Sequence, residues 1–191
     1  LNSTNYILNT EFKGIVYSEN EISYKEYENC AFIDCNFTNC IFLAASFIDC
    51  KFVNCNFNGA KINHTSLRTV YFNKCKISDV NFAMIDKFIF EIHFKDCNLD
   101  FSKFYALKLK GTTFTNTSLV AVDFMVADLS EVVFENCDLY RSEFDKAIAN
   151  KTNFKTSFNY TINPEKTKIK KAIFSLEGVK GLLYKYDIIV K

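Results

Sequence analysis

A chain of 191 residues with 49% hydrophobic content is long enough to bury a substantial core and too apolar for a disordered tail. Its formal net charge of +1 offers no bulk electrostatic case for nucleic acid or an anionic membrane. Phenylalanine is abundant at 21 residues while proline and glycine number 1 and 5, so the turns must rest on other residue types.

Residues 1–26 contain no basic segment followed by an apolar one, so no secretory leader is expected. No apolar run anywhere approaches the roughly 18 residues of a membrane span. The segment is assigned to an N-terminal cap, and the cytoplasm is the expected compartment.

From Tyr27 the chain steps by five: Tyr27, Phe32, Phe37, Phe42, Phe47, Phe52, Phe57, Ile62, Leu67, Phe72, Ile77 and Phe82 are all large and apolar. Two residues before each centre stands a small or apolar residue, among them Cys30, Cys35, Cys40, Ala45, Cys50, Cys55, Ala60, Thr65, Val70, Cys75 and Val80. The other three positions of each five are mostly polar or charged. A period of five fits neither a helix at 3.6 nor a strand at 2.0. It fits a solenoid in which five residues form one side of a coil and then turn a corner. All eight cysteines (30, 35, 40, 50, 55, 75, 97 and 137) occupy the small inward position. Their spacing of five would place neighbouring thiols on different walls, unlike a paired zinc motif. They are read as small core hydrophobes.

The phase slips by two residues within "MIDKFIFEI", 84–92, as a kink, a bulge or a short bulging corner. Stepping resumes at Phe94, Leu99, Phe104, Leu109, Phe114, Leu119, Phe124, Leu129, Phe134, Leu139 and Phe144, fails at Ala149 and returns at Phe154. The strict Phe/Leu alternation suits a coil with four centres, which would put Phe on two opposite sides and Leu on the other two. Each centre then stacks on its own kind. Residues 121–145 carry Asp123, Asp128, Glu131, Glu135, Asp138, Glu143 and Asp145 against the single Arg141. On a coil of four five-residue sides these acids would fall on all four sides, and only Asp123 and Glu143 would share a column, which Lys103 continues with the opposite sign.

After Phe158 the repeat stops. Residues 159–191 contain the sole proline, Pro164, and a basic cluster of Lys166, Lys168, Lys170 and Lys171; ten lysines stand against three acids from 146 to the end. Ser175 is a candidate N-cap for a short helix with Leu176, Val179, Leu182, Leu183 and Tyr186 on one apolar stripe. "DIIV" then reads as a strand, and Ile188 and Ile189 join the apolar set. Gly178 and Gly181 weaken that helix by up to about 1 kcal/mol each, so it needs packing against something else.

The five-residue period over 27–158 resembles the pentapeptide-repeat family. The resemblance implies an all-β, right-handed, quadrilateral parallel β-helix with twenty residues per coil, about six and a half coils and a rod on the order of 30 Å long, followed by the short helix and strand. The tail "INPEKTKIKKAIFSLEGVKGLLYKYDII" and the segment "FYALKLKGTTFTNTSLVAVDF", 104–124, are similar to the Qnr-type members. That likeness implies binding to the bacterial type II topoisomerases, DNA gyrase or topoisomerase IV, protection from quinolones, mimicry of duplex DNA and a homodimer through the C-terminal module. The seven acids are the candidate partner-binding residues, and Leu176, Val179, Leu182, Leu183, Tyr186, Ile188 and Ile189 the candidate dimer contact. A general interaction scaffold of the same fold, or an immunity protein against a gyrase-targeting toxin, are the alternatives.

Catalysis finds no support in the residues. His64 and His93 fall at outward positions without a recognisable partner, no nucleotide-loop or nucleophile-elbow motif is present, and a Phe-filled solenoid leaves no room for a substrate. A protein that is not an enzyme, without metal or cofactor, with no nucleic-acid or membrane partner, is expected.

Overall fold

The structure, a computed structural model, describes residues 5–189. Short strands alternate with tight corners, and every strand pairs in parallel with strands of neighbouring coils. One wall is a four-stranded parallel sheet of β1 (Tyr6–Leu8), β3 (Glu26–Glu28), β5 (Ser46–Ile48) and β7 (Ser66–Arg68). The next wall is a seven-stranded parallel sheet of β2 (Glu11–Lys13), β4 (Ala31–Ile33), β6 (Lys51–Val53), β8 (Val70–Asn73), β9 (Ile92–Lys95), β10 (Thr113–Thr115) and β11 (Val133–Glu135). The remaining walls are held by single bridges at the same spacing, such as Asn36↔Asn56 and Asp123↔Glu143. The register is twenty residues per coil: Phe32 pairs with Phe52 and Phe114 with Phe134. The fold is therefore a four-sided parallel β-solenoid, as the pentapeptide-repeat resemblance implies.

Centres and small positions are buried almost without exception. Nine phenylalanines, Phe12, Phe32, Phe52, Phe72, Phe94, Phe114, Phe134, Phe154 and Phe174, form one uninterrupted stack with ring centroids 4.8–5.3 Å apart and near-parallel planes. Phe82, Phe104, Phe124 and Phe144 stack on the opposite side at 4.7–5.5 Å. Leu109 and Leu129, and Leu99, Leu119 and Leu139, fill the two sides between.

The first stack is longer than the repeat over 27–158 requires, and this moves both boundaries. The N-terminal segment is not separate from the solenoid: Tyr6 pairs with Glu26 and Phe12 with Phe32, and Tyr17 stacks on Phe37. The period runs backwards through Ile22, Tyr17, Phe12 and Ile7, less conspicuous because the outer two are only partly buried. At the other end Ile148 bridges Lys168 and Asn153 bridges Ile173, so the last coil reaches Phe174.

Turns come from left-handed residues at the corners. The second residue after a centre has positive φ at Asn29, Asp34, Asn39, Ala44, Asp49 and Asn54, and again at Asn116, Ala121, Val126, Glu131 and Asn136. Asn and Asp tolerate this region because their short side chains bond locally. Here they also bond along the rod: Asn54 Nδ2 donates to Asp34 Oδ1 at 2.7 Å and Asn136 Nδ2 to Asn116 Oδ1 at 3.1 Å.

The slip at 84–92 is a bulging corner. The register step lengthens from twenty to twenty-two, with Phe72 pairing to Phe94 and Lys76 bridging Asn98. A 3-10 turn over Phe82–Met84 opens the detour, Ile85 stays buried, and Phe88 and Ile89 project with 86% and 57% exposure. The detour lies on the wall of β7 and ends the four-stranded sheet there, while the neighbouring seven-stranded sheet passes through unbroken.

The C-terminal segment is shorter in helix than its apolar stripe suggests. The α-helix α1 covers only Lys180–Leu183, continued by a 3-10 turn over Tyr184–Tyr186. Ser175 Oγ accepts from the Gly178 N–H at 2.9 Å, so it caps a turn ahead of α1 and not the helix itself. The expected strand is absent over 187–189, where Asp187 takes a left-handed conformation that ends the turn; Val190 lies outside the described residues. Both glycines are explained by close approach. A Cβ on Gly181 would collide with the Tyr160 carbonyl oxygen, and one on Gly178 with the Tyr160 hydroxyl. The Gly181 carbonyl in turn accepts from the Ile162 N–H at 3.1 Å, fastening the segment to the last coil.

Candidate interaction surfaces

All eight cysteines are buried as free thiols, and each does more than fill space. Cys50 Sγ donates to the Tyr27 carbonyl, Cys55 to Phe32 and Cys75 to Phe52, each at 3.3–3.4 Å and 23 residues back. Thr65, Thr152, Ser157 and Thr167 make the same bond through a hydroxyl at 2.7–2.9 Å. The small inward position is therefore a donor to the centre carbonyl of the coil before. The two-residue slip brings Cys97 into the column of Cys35, Cys55 and Cys75, where its sulfur accepts from the Cys75 N–H at 3.4 Å. Burial pushes the thiols of Cys50 and Cys137 up to about 11. The neighbouring sulfurs of Cys55 and Cys97, and then burial, raise the Cys75 thiol as well. These are not nucleophiles.

The two histidines differ. His64 is an exposed corner residue with positive φ. His93 is partly buried, stacks on Tyr71 with centroids 5.0 Å apart, and lies 2.9 Å from Thr113 Oγ1 and 3.2 Å from Glu91 Oε1. Among the described residues no group of three or more His, Cys, Asp or Glu side chains is arranged around a common point, and no helix is long and apolar enough to cross a membrane.

The structure spreads the seven candidate acids over all four walls and corners. Asp123 and Glu143 share a bridged column with Asn81 and Lys103, and Asp128 stands between Lys108 and Ile148. Most of these carboxylates already have partners. Asp123, Asp128 and Asp138 each accept the N–H two residues on, from Met125, Ser130 and Tyr140, at 2.8–3.0 Å, and thereby hold their own corners. Glu131 lies 3.1 Å from Lys151 and 3.5 Å from Lys110, and these two lysines depress its carboxyl below the usual range. Asp145 meets Lys166 at 2.7 Å, and Glu135 accepts from Thr115 at 3.3 Å.

At the C-terminal end the apolar set divides. Leu182 packs against the core and Leu183 is half-buried, whereas Leu176, Ile188 and Ile189 are 93%, 55% and 85% exposed, with Val179 and Tyr186 partly so. A cleft of about 490 Å³ separates the segment from the last coils, lined by Arg141, Glu143, Asp145, Asn163, Lys166, Tyr184 and Lys185. Glu165 bonds both Lys185 and the Tyr186 hydroxyl beside it.

The repeat so described is matched by the family model of the pentapeptide repeat region over residues 25–87 and 88–163, the two matches meeting inside the bulge. The chain belongs to the pentapeptide-repeat family. Among solved pentapeptide-repeat structures, a trypsin-treated form of QnrB1, a plasmid-mediated fluoroquinolone resistance protein, is 12% identical, with a TM-score of 0.63 over 95% of this chain and 98% of that one. Full-length QnrB1 is 13% identical, with a TM-score of 0.55 over 96% and 100%. HetL, involved in heterocyst differentiation regulation in the cyanobacterium Nostoc sp. strain PCC 7120, gives 14% identity and a TM-score of 0.43 over 90% and 88%. At these identities the likeness is one of fold. No curated protein sequence matches this chain.

Proposed function

We propose that this pentapeptide-repeat solenoid is a non-catalytic binding protein whose partner is a bacterial type II topoisomerase, DNA gyrase or topoisomerase IV, and that it competes for the surface on which duplex DNA lies. One observation carries the reading: the likeness to QnrB1 spans nearly the whole of both chains, so the two are rods of matching extent. The mechanism is occupancy by shape. A rod whose interior is filled by stacked rings presents only walls, and binding energy comes from those walls. Charge mimicry contributes less than the acid count implies, since three of the seven carboxylates hold corners and two face lysines. Glu143, exposed on the column of Asp123, and Glu135 are the anionic groups best placed for a partner.

The exposed Leu176, Ile188 and Ile189 support a homodimer through the C-terminal module, with Tyr186 and Val179 at its margin. Leu182 belongs to the cap over the last coil instead.

A gyrase supercoiling assay titrated with the protein, with and without ciprofloxacin, tests the reading. Supercoiling restored under drug is the expected result. Inhibition in the drug-free arm alone keeps the partner and removes the protective role. Unchanged supercoiling in both arms, with the protein folded, overturns the topoisomerase reading and leaves a scaffold for another partner.

A further inference from the structure

The net charge of +1 averages two opposite ends. Residues 1–145 hold 13 cationic against 19 acidic side chains, and residues 146–191 hold 10 against 3. The solenoid collects the cations further, onto one wall. Two successive coils lie in register there: the Lys146 N–H donates to the Lys166 carbonyl, Ile148 bridges Lys168, the Lys170 N–H donates to Asn150 Oδ1, and the Lys151 N–H donates to the Lys170 carbonyl. Lys151 and Lys171 turn the same corner with φ of 59° each.

The carboxylates near this wall are committed elsewhere. Asp145 is on Lys166, Glu131 on Lys151 and Lys110, and Glu165 on Lys185. Asp128, in the column of Lys168 but two coils away, accepts the Ser130 N–H. Among the described residues Lys146, Lys168, Lys170 and Lys171 meet no carboxylate, and all four are exposed. Ile148 and Asn150 are half-buried between them.

We propose that this lysine plate on the last two coils docks the sugar–phosphate backbone of a nucleic-acid duplex without regard to sequence. Four unneutralised ammonium groups on a rigid ladder match a polyanion with regularly spaced charges. Lys168 and Lys170, two residues apart, the second entering the corner, lie at most about 6.6 Å apart at Cα, comparable with neighbouring phosphates along a strand. Successive coils lie about 4.8 Å apart. The ladder fixes this array before binding, so little backbone order has to be gained on contact. A membrane surface fits less well, because stable peripheral binding adds an inserted apolar face to the basic one. The plate stands apart from the topoisomerase reading, and the test contains no topoisomerase.

Binding of a fluorescent 20-base-pair duplex is followed by anisotropy from 50 to 200 mM salt. Four phosphate contacts predict a slope of log K on log salt of about −3.6, a roughly 100-fold loss across that range. The triple variant Lys168→Glu, Lys170→Glu, Lys171→Glu loses at least about tenfold in affinity and most of the slope, while Lys74→Glu on a distant corner changes neither. All three side chains are exposed, and an unchanged melting curve confirms folding. Three results overturn the proposal: a slope shallower than about −1, a triple variant that binds like the parent, or equal or tighter binding to phosphatidylserine vesicles or to a polyglutamate peptide of matched charge.

Discussion

Cysteine at the small inward position combines three properties that the coil needs at once. It is small enough to sit beside a phenylalanine, apolar enough to bury, and able to donate to the carbonyl of the coil before, as Cys55 does to Phe32. Serine and threonine share the position for the same reason, with Thr152 and Ser157 as examples. This predicts a pH dependence with a definite sign. A thiol titrating at 9.0 when free is held up to about 11 by burial at Cys50 and Cys137. The folded-state value is raised, so the stabilisation is complete below pH 9 and is lost as pH rises from about 9 towards 11, where the unfolded chain ionises first. Urea midpoints measured from pH 7 to 11 should be flat to about 8.5 and fall beyond it. Native protein should be inert to a disulfide thiol reagent at pH 8, with all eight thiols reacting in urea; fast reaction of any thiol in the native state would contradict the burial.

The bulging corner shows how a solenoid absorbs an insertion. The two extra residues are confined to one wall, between Ile85 and Phe90. The phenylalanine stack on the adjacent wall continues from Phe72 to Phe94 at 5.1 Å as if nothing had been inserted. Cooperativity along the rod rests on such continuity, because each coil touches only its neighbours. Deleting Asp86 and Lys87 should therefore be tolerated. The shortened chain returns to twenty residues per coil, places Ile89 five before Phe94 on the inward centre, and leaves Ile85 at the small position. The expected variant is folded and melts cooperatively within a few degrees of the parent by circular dichroism. A loss of folding would mean that the detour is required to close the wall of β7.

For the whole molecule, the charge separation bears on assembly. A twofold contact through the C-terminal module brings two basic ends together, so the apolar contact must outweigh their repulsion, and salt should favour association by screening it. Light scattering should give a dimer whose dissociation constant falls as salt is raised. Ile189→Glu together with Leu176→Glu should give a folded monomer, since both side chains are 85% or more exposed in the single chain. Leu182→Glu should instead destabilise the fold, by about 2–3 kcal/mol, because Leu182 packs on the last coil. A parent protein that is monomeric at all salt concentrations would sink the dimer.

A period of five in the chain determined the solenoid. A five-residue side repeats a large inward residue at that interval, and Phe/Leu alternation is consistent with the four sides that the family resemblance implies, so the stacks and the buried cysteines were legible in the chain. The terminal coil from Ile7 to Ile22 was equally periodic but half-exposed at its outer edge, and composition alone did not separate it from a cap. Tertiary structure decided what a linear pattern cannot carry. Asp123, Asp128 and Asp138 look like free charge in the sequence, and only the corners show that they are turn acceptors. Gly178 and Gly181 look like helix weaknesses, and only the packing shows Tyr160 filling the space a side chain would take. Lysines twenty residues apart become neighbours only when the chain is wound. Inward residues obey one local rule repeated along the chain, whereas the character of the outer surface depends on which coils come to lie side by side.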